Sequence, residues 1–80
     1  MKRSMLERIE INPRVCGGKP VIRGTRIPVA VLIEQLAAGE SWESLLQGYP
    51  EVTRDDIQAA LLYAKDSIDR TEIVVHTGTL

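Results

Sequence analysis

The residues of this chain best equipped for chemistry are its cations. The run CGGKPVIRGTRIPV, from Cys16 to Val29, sets Lys19, Arg23 and Arg26 among three glycines and two prolines, with Arg14 two residues upstream. Arg23 and Arg26 stand either side of Gly24-Thr25, and like charges facing one another across a tight turn repel. Guanidinium forks bind carboxylate and phosphate oxygens two at a time, so the chemistry on offer is anion recognition. The plainer alternative is that Gly24 and Thr25 only make the turn while both arginines splay into water.

No reacting constellation accompanies these cations. Cys16 is the single cysteine and His76 the single histidine, which excludes an internal disulfide and a Cys/His metal site. Nothing in a loop and a tail would orient His76 as a base for the Cys16 thiol. Gly17-Gly18-Lys19 is not a phosphate-binding loop. That motif needs GxxxxGK followed by Ser or Thr, and positions 13 and 20 are both proline. Asp55 with Asp56, and Asp66 with Asp69, lack a third ligand and read as a helix cap and a solvated face. The expectation is a protein without catalytic activity, cofactor, metal or small-molecule substrate.

The net charge of −1 conceals an asymmetry: residues 1–28 carry seven Lys and Arg against two Glu, residues 29–80 three against nine Asp and Glu. The basic third should meet anions; the alternative is that the halves neutralise each other, within one molecule or across a dimer. A chain of 80 residues buries only roughly 60–65% of its unfolded surface, so a thin margin and a homodimer are expected. With no Phe, one Trp and two Tyr, its core must be aliphatic. MKRSMLERIE has no apolar run behind its basic start, and Ile27 to Ile33 is too short to span a bilayer. These features point to a soluble cytoplasmic protein with no membrane partner.

The elements that must hold the cations come next. Arg8 to Ile11 alternates as a short strand does, and Asn12-Pro13 breaks it. Val21-Ile22 and Arg26-Ile27 flank Gly24-Thr25, as a two-residue hairpin would. Pro28 suits a first helical turn; Val29, Leu32, Ile33 and Leu36 form a stripe that Gly39 stops. Ser41 caps a second helix with stripe Trp42, Leu45, Leu46 and Tyr49, ended by Gly48 and Pro50. Thr53 caps a third, with Asp55 and Asp56 complementing its dipole and a stripe of Ile57, Ala60, Leu61, Ala64 and Ile68. The expected fold is mainly α: a β-ribbon over 1–28 and three helices over 28–70 in one domain, matching a three-helix DNA-binding arrangement. Residues 71–80 read as an added strand or partner-binding arm.

The string GGKPVIRGTRIPV, the Leu36-to-Gly39 joint, Tyr49-Pro50 and DIQAALLYA from Asp56 to Ala64 resemble the domain-of-unknown-function family 433, small prokaryotic helix-turn-helix proteins, over residues 9–64. The resemblance implies a homeodomain-like bundle behind a β-ribbon. It also implies a frequent role as the antitoxin of a type II toxin–antitoxin pair, whose partner is a PIN-like ribonuclease.

On that footing, operator DNA contacts are expected from Arg14, Lys19, Arg23, Arg26, Arg54 and Gln58. Arg54 and Gln58 near the start of the third helix suit guanine and adenine edges, although Asp55, Asp56, Asp66 and Asp69 on that helix repel phosphate. Arg23 and Arg26 could equally enter a nuclease site whose carboxylates hold Mg²⁺. Ala59, Leu62 and Tyr63 make an apolar strip opposite the helix's core stripe, either a partner surface or a face covered by ribbon or tail. Ile73, Val74 and Val75 of the tail are added to the partner surface. A stand-alone transcription regulator and a protein-only interaction module are the alternative functions.

Overall fold

A computed structural model describes residues 5–70. Met5–Arg8 forms one 3-10 turn and leads into strand β1, Ile9–Glu10, which pairs antiparallel with β2, Val21–Ile22. Three helices follow: α1, Val29–Ala37; α2, Trp42–Gly48; and α3, Arg54–Arg70. The protein is a mainly helical three-helix bundle with a short N-terminal β-ribbon.

The helix boundaries follow from local chemistry. Pro28 is the N-cap of α1, one position before the first turn in which it was expected. At the other end Gly39, at φ +97°, donates to the Leu36 carbonyl and Glu40 to that of Gln35, both at 3.0 Å. This is the Schellman pairing, which needs a left-handed residue at that point. Ser41 Oγ accepts from the Ser44 N–H at 3.0 Å and starts α2. Thr53 Oγ1 accepts from the Asp56 N–H at 3.2 Å while Asp56 Oδ2 accepts from the Thr53 N–H at 3.0 Å. That reciprocal pair is a capping box with Asp in the place of Glu.

The core joins all three helices to the ribbon. Ile9, Ile22, Val29, Leu32, Leu45, Val52, Ile57, Ala59 and Ala60 form one buried cluster, with Trp42, Leu46, Tyr49 and Tyr63 packed against it. It is aliphatic, as the composition requires.

Two sequence expectations are corrected here. The ladder partner of Val21-Ile22 is Ile9–Glu10, not Arg26-Ile27. The chain from Ile22 to Ile27 turns back through a longer loop, with Ile22 N–H on the Ile27 carbonyl at 3.0 Å and a single bridge from Val21 to Pro28. The second correction concerns α3. Ala59 is fully buried, so it belongs to the core and cannot line an exposed strip, while Leu61 and Ile68, expected inside, are 39% and 62% exposed. The reason is that α3 is flanked on one side by α1 and α2 and on another by the 3-10 turn and β1. The buried arc therefore runs through Asp56, Ile57, Ala59 and Ala60. Moreover, 17 residues make a helix of about 25 Å and the nine of α1 only about 13 Å, so the last turns of α3 outrun their cover.

Candidate functional site

The loops that carry the cations are built from short-range bonds. Thr25 N–H donates to the Ile22 carbonyl at 3.0 Å across Arg23-Gly24, and Gly24 sits at φ +84°. A left-handed third residue is what a type II turn requires. Thr25 Oγ1 then donates to the Ile22 carbonyl at 2.8 Å and accepts from the Ile27 N–H at 3.0 Å, stapling the loop shut. Arg23 and Arg26 are thereby the second residue of this turn and the residue after it.

Their side chains do different things. Arg23 Nε donates to the Glu7 carbonyl at 2.6 Å and Nη2 to the Ile9 carbonyl at 3.3 Å, while its backbone N–H reaches the Arg8 carbonyl at 2.7 Å. The guanidinium straddles the peptide units around Arg8 and clamps the end of β2 to the entry of β1. It works as a structural fork through Nε and Nη2, while the residue as a whole stays exposed. Arg26 offers its carbonyl to Cys16 Sγ–H at 3.3 Å, and its side chain is exposed.

That thiol contact draws the preceding loop alongside. Asn12 Oδ1 accepts from the Arg14 N–H at 2.9 Å and the Asn12 carbonyl from the Val15 N–H at 2.8 Å, an Asx turn. Cys16 follows at φ +50°, a strained value for a residue with a side chain, and opens the tight turn Cys16–Gly18. Lys19 closes that turn, its N–H on the Cys16 carbonyl at 3.3 Å. Arg14, Lys19 and Arg26 thus belong to one cluster of loops, exposed, with no side-chain hydrogen bond or ion pair among the described residues.

Every cation from the helices, and Arg8, is instead neutralised within the fold. Arg8 reaches Asp56 at 3.1 Å and Asp55 at 3.4 Å; Lys65 reaches Asp69 at 2.8 Å and Arg70 reaches Asp66 at 3.8 Å. Arg54 binds Glu43 at 2.6 Å and lies 5.9 Å from the centre of the Trp42 ring. The hydrogen bond from Arg54 holds the Glu43 carboxyl below its ordinary range, with the coulombic attraction of the same guanidinium in support. Arg54 is therefore turned toward α2. Gln58 is exposed on α3 without a side-chain partner among the described residues.

The expected partner strip does not hold together as one surface. Leu62 is 40% exposed, Tyr63 is half-buried against the core, and Ala59 is inside. Ile73, Val74 and Val75 lie outside the described residues. Among the described residues no three His, Cys, Asp or Glu side chains converge as metal ligands would, and no helix is long and apolar enough to cross a membrane.

Sequence reasoning missed the grip of Asp56 on Arg8. The capping-box signal was present, since Thr53 and Asp56 are three residues apart, but Arg8 lies 48 positions away and no local pattern names it.

The profile of a family described as a protein of unknown function, DUF433, matches residues 9–64. The crystal structure of a DUF433 member from Anabaena variabilis ATCC 29413, at 2.00 Å resolution, is similar to this fold with a TM-score of 0.73 and 40% identity. That similarity covers 79% of this chain and 62% of the other. The uncharacterized protein y4eO of Sinorhizobium fredii (strain NBRC 101917 / NGR234) is 39% identical over 59 residues, 74% of this chain. This chain spans 27% of the length of that relative. By its sequence profile over most of its length, and by its likeness in fold and residues to a solved member, the chain belongs to the DUF433 family.

Proposed function

We propose that this chain is the antitoxin of a type II toxin–antitoxin pair. It acts as a homodimer in the cytoplasm, inhibits a PIN-like ribonuclease and represses its own operator. The observation that carries the reading is the division of cations. Those on the helices are spent on the protein's own carboxylates, whereas Arg14, Lys19 and Arg26 are left to solvent in one loop cluster. Three exposed cations without internal anions are a surface for an external one.

Two anionic partners fit this surface. The carboxylates with which a PIN-like nuclease holds Mg²⁺ can accept a guanidinium fork in the metal's place, and Arg26 is the arginine with a free fork beside the turn. Operator phosphates can accept all three cations. In this reading α3 does not supply the main DNA contact, because Arg54 faces Glu43 and Trp42 and the helix is rich in Asp. Gln58 remains available for a base edge.

The test combines salt dependence with nuclease inhibition. Neutralising three phosphates gives a slope of log K against log [salt] of about −2.7, so binding weakens roughly 40-fold between 50 and 200 mM salt for each chain engaged. The variant Arg14→Glu/Lys19→Glu/Arg26→Glu is expected to lose both that slope and inhibition of the ribonuclease encoded beside it, while Arg54→Ala keeps both. A stand-alone regulator would show the salt slope without inhibiting a nuclease. A triple variant that still inhibits and still binds operator DNA overturns the proposal.

A further inference from the structure

The groove between α1 and α3, about 540 Å³ in volume, is lined by two charges that the fold does not pair. Lys19 stands at one end, held against the first turn of α1 because the Val29 N–H donates to the Pro20 carbonyl at 2.9 Å. Glu34 stands on the α1 wall five residues after Val29, about 7–8 Å further along the helix at 1.5 Å per residue. Both residues are exposed, and neither side chain has a hydrogen bond or ion pair among the described residues. We infer that this face is the contact between two copies of the chain, related by a two-fold axis, in which Lys19 of each copy meets Glu34 of the other. The inference rests on the homodimer of the proposed function and on nothing else in it.

Charge symmetry selects a second copy as the occupant. In a two-fold interface, if residue i touches residue j of the partner, then j touches the partner's i. A cation and an anion set apart along one groove therefore satisfy each other when an identical face is laid antiparallel against it. A ligand of one charge sign answers Lys19 or Glu34 but not both. The ten residues after α3 include Glu72 but no Lys or Arg, so they bring Glu34 no such cation. Lys19 keeps its place in the loop cluster as well, since an ammonium has three donors to share.

The apolar residues beside these charges form a helix seam. On α3, Leu61, Ala64 and Ile68 fall at i, i+3 and i+7, a single stripe, yet Leu61 is 39% and Ile68 62% exposed. On α1, Ala30 and Ala37 lie a heptad apart on the side of Glu34, both exposed. Such small side chains let a facing helix come close. A second α1–α3 pair covers the stripe that one chain leaves open. The other groove, about 360 Å³ beside β1, makes no such demand: Asp66 and Arg70 there are already paired with each other at 3.8 Å.

Sedimentation velocity of the whole chain across about 1–100 μM, at about 50 mM salt, tests the placement. The unmodified chain is expected to be a dimer. Lys19→Glu and Glu34→Lys each turn two attractions into two repulsions, and each should raise the dimer Kd roughly 10- to 30-fold. Mixing these two variants one to one should restore association as a heterodimer, because both pairs across the seam are then opposite in sign. Ile68→Asp, at an exposed site, should keep the helical circular dichroism and lose the dimer. A dimer that either charge reversal or Ile68→Asp leaves intact, or a mixture that does not recover, overturns the inference and leaves the homodimer to form through another face. A monomeric unmodified chain gives the groove to some other occupant and overturns the inference together with that homodimer.

Discussion

Removing the carboxylate of Asp56 should cost this domain a large share of its stability. Asp56 is 7% exposed and does two jobs at once. Its Oδ2 accepts from the Thr53 N–H at 3.0 Å in the capping box, and its Oδ1 binds Arg8 Nη1 at 3.1 Å, tying α3 to the 3-10 turn. The Thr53 side chain keeps its own cap bond, so what is lost here is the return hydrogen bond to the Thr53 N–H, about 1 kcal/mol. A hydrogen bond to a charged partner contributes about 1.5–3 kcal/mol, and the Arg8 side chain, 42% exposed, keeps enough water to place this one at the low end. Asp56→Ala should therefore destabilise by about 2–3 kcal/mol against a total of about 4–12 kcal/mol for a chain of this length. At about 4–8 °C per kcal/mol for a small domain, Tm falls by roughly 10–20 °C, read by circular dichroism at 222 nm. Asp55→Ala is the control, because the Asp55 side chain is 61% exposed and its contact with Arg8 is longer; it should change stability by less than about 1 kcal/mol. A double-mutant cycle with Arg8→Ala isolates the pair, and a coupling of about 1–2 kcal/mol is expected. If Asp56→Ala costs no more than Asp55→Ala and the cycle shows no coupling, the link between cap and ribbon has been misjudged.

Other perturbations probe the remaining claims. Ala59→Leu, at a fully buried site, should cost about 1–3 kcal/mol by overpacking, whereas Gln58→Leu next to it should be close to neutral in urea denaturation. Gly39→Ala forces a side chain into φ +97° and should cost about 1–2 kcal/mol in the same assay. Arg54→Ala should raise the Glu43 carboxyl toward its ordinary value, as read by NMR titration of its side-chain carbons. Because the folded-state pKa of Glu43 is depressed, the stability from this pair is present above the unfolded value. It is lost as pH falls through the folded one.

The helical half of the molecule was legible because its signals are local. Ser41 and Thr53 as caps, Gly39 as a stop, and three helices in order each rest on residues within a turn of one another. The ribbon was legible only in outline. Two-residue strands carry almost no periodicity, and the hairpin expected around Gly24-Thr25 gave way to a pairing 13 positions apart, Ile9 with Ile22. That register is held by Arg23 on the Glu7 and Ile9 carbonyls, a contact no pattern of residue types announces.

The amino-acid order alone determined the number and limits of the helices, the aliphatic core, the family and the concentration of positive charge in the first third. Tertiary structure decided two things. It chose which arc of α3 is buried, since Leu61 and Ile68 are more apolar than Ala59 and Tyr63 and yet lie outward, and the placement of α1 and the ribbon decides it. It also chose which cations remain available. An arginine's partner depends on what folding brings within about 4 Å, so Arg8 and Arg54 were taken by Asp56 and Glu43 while Arg14, Lys19 and Arg26 were left facing water.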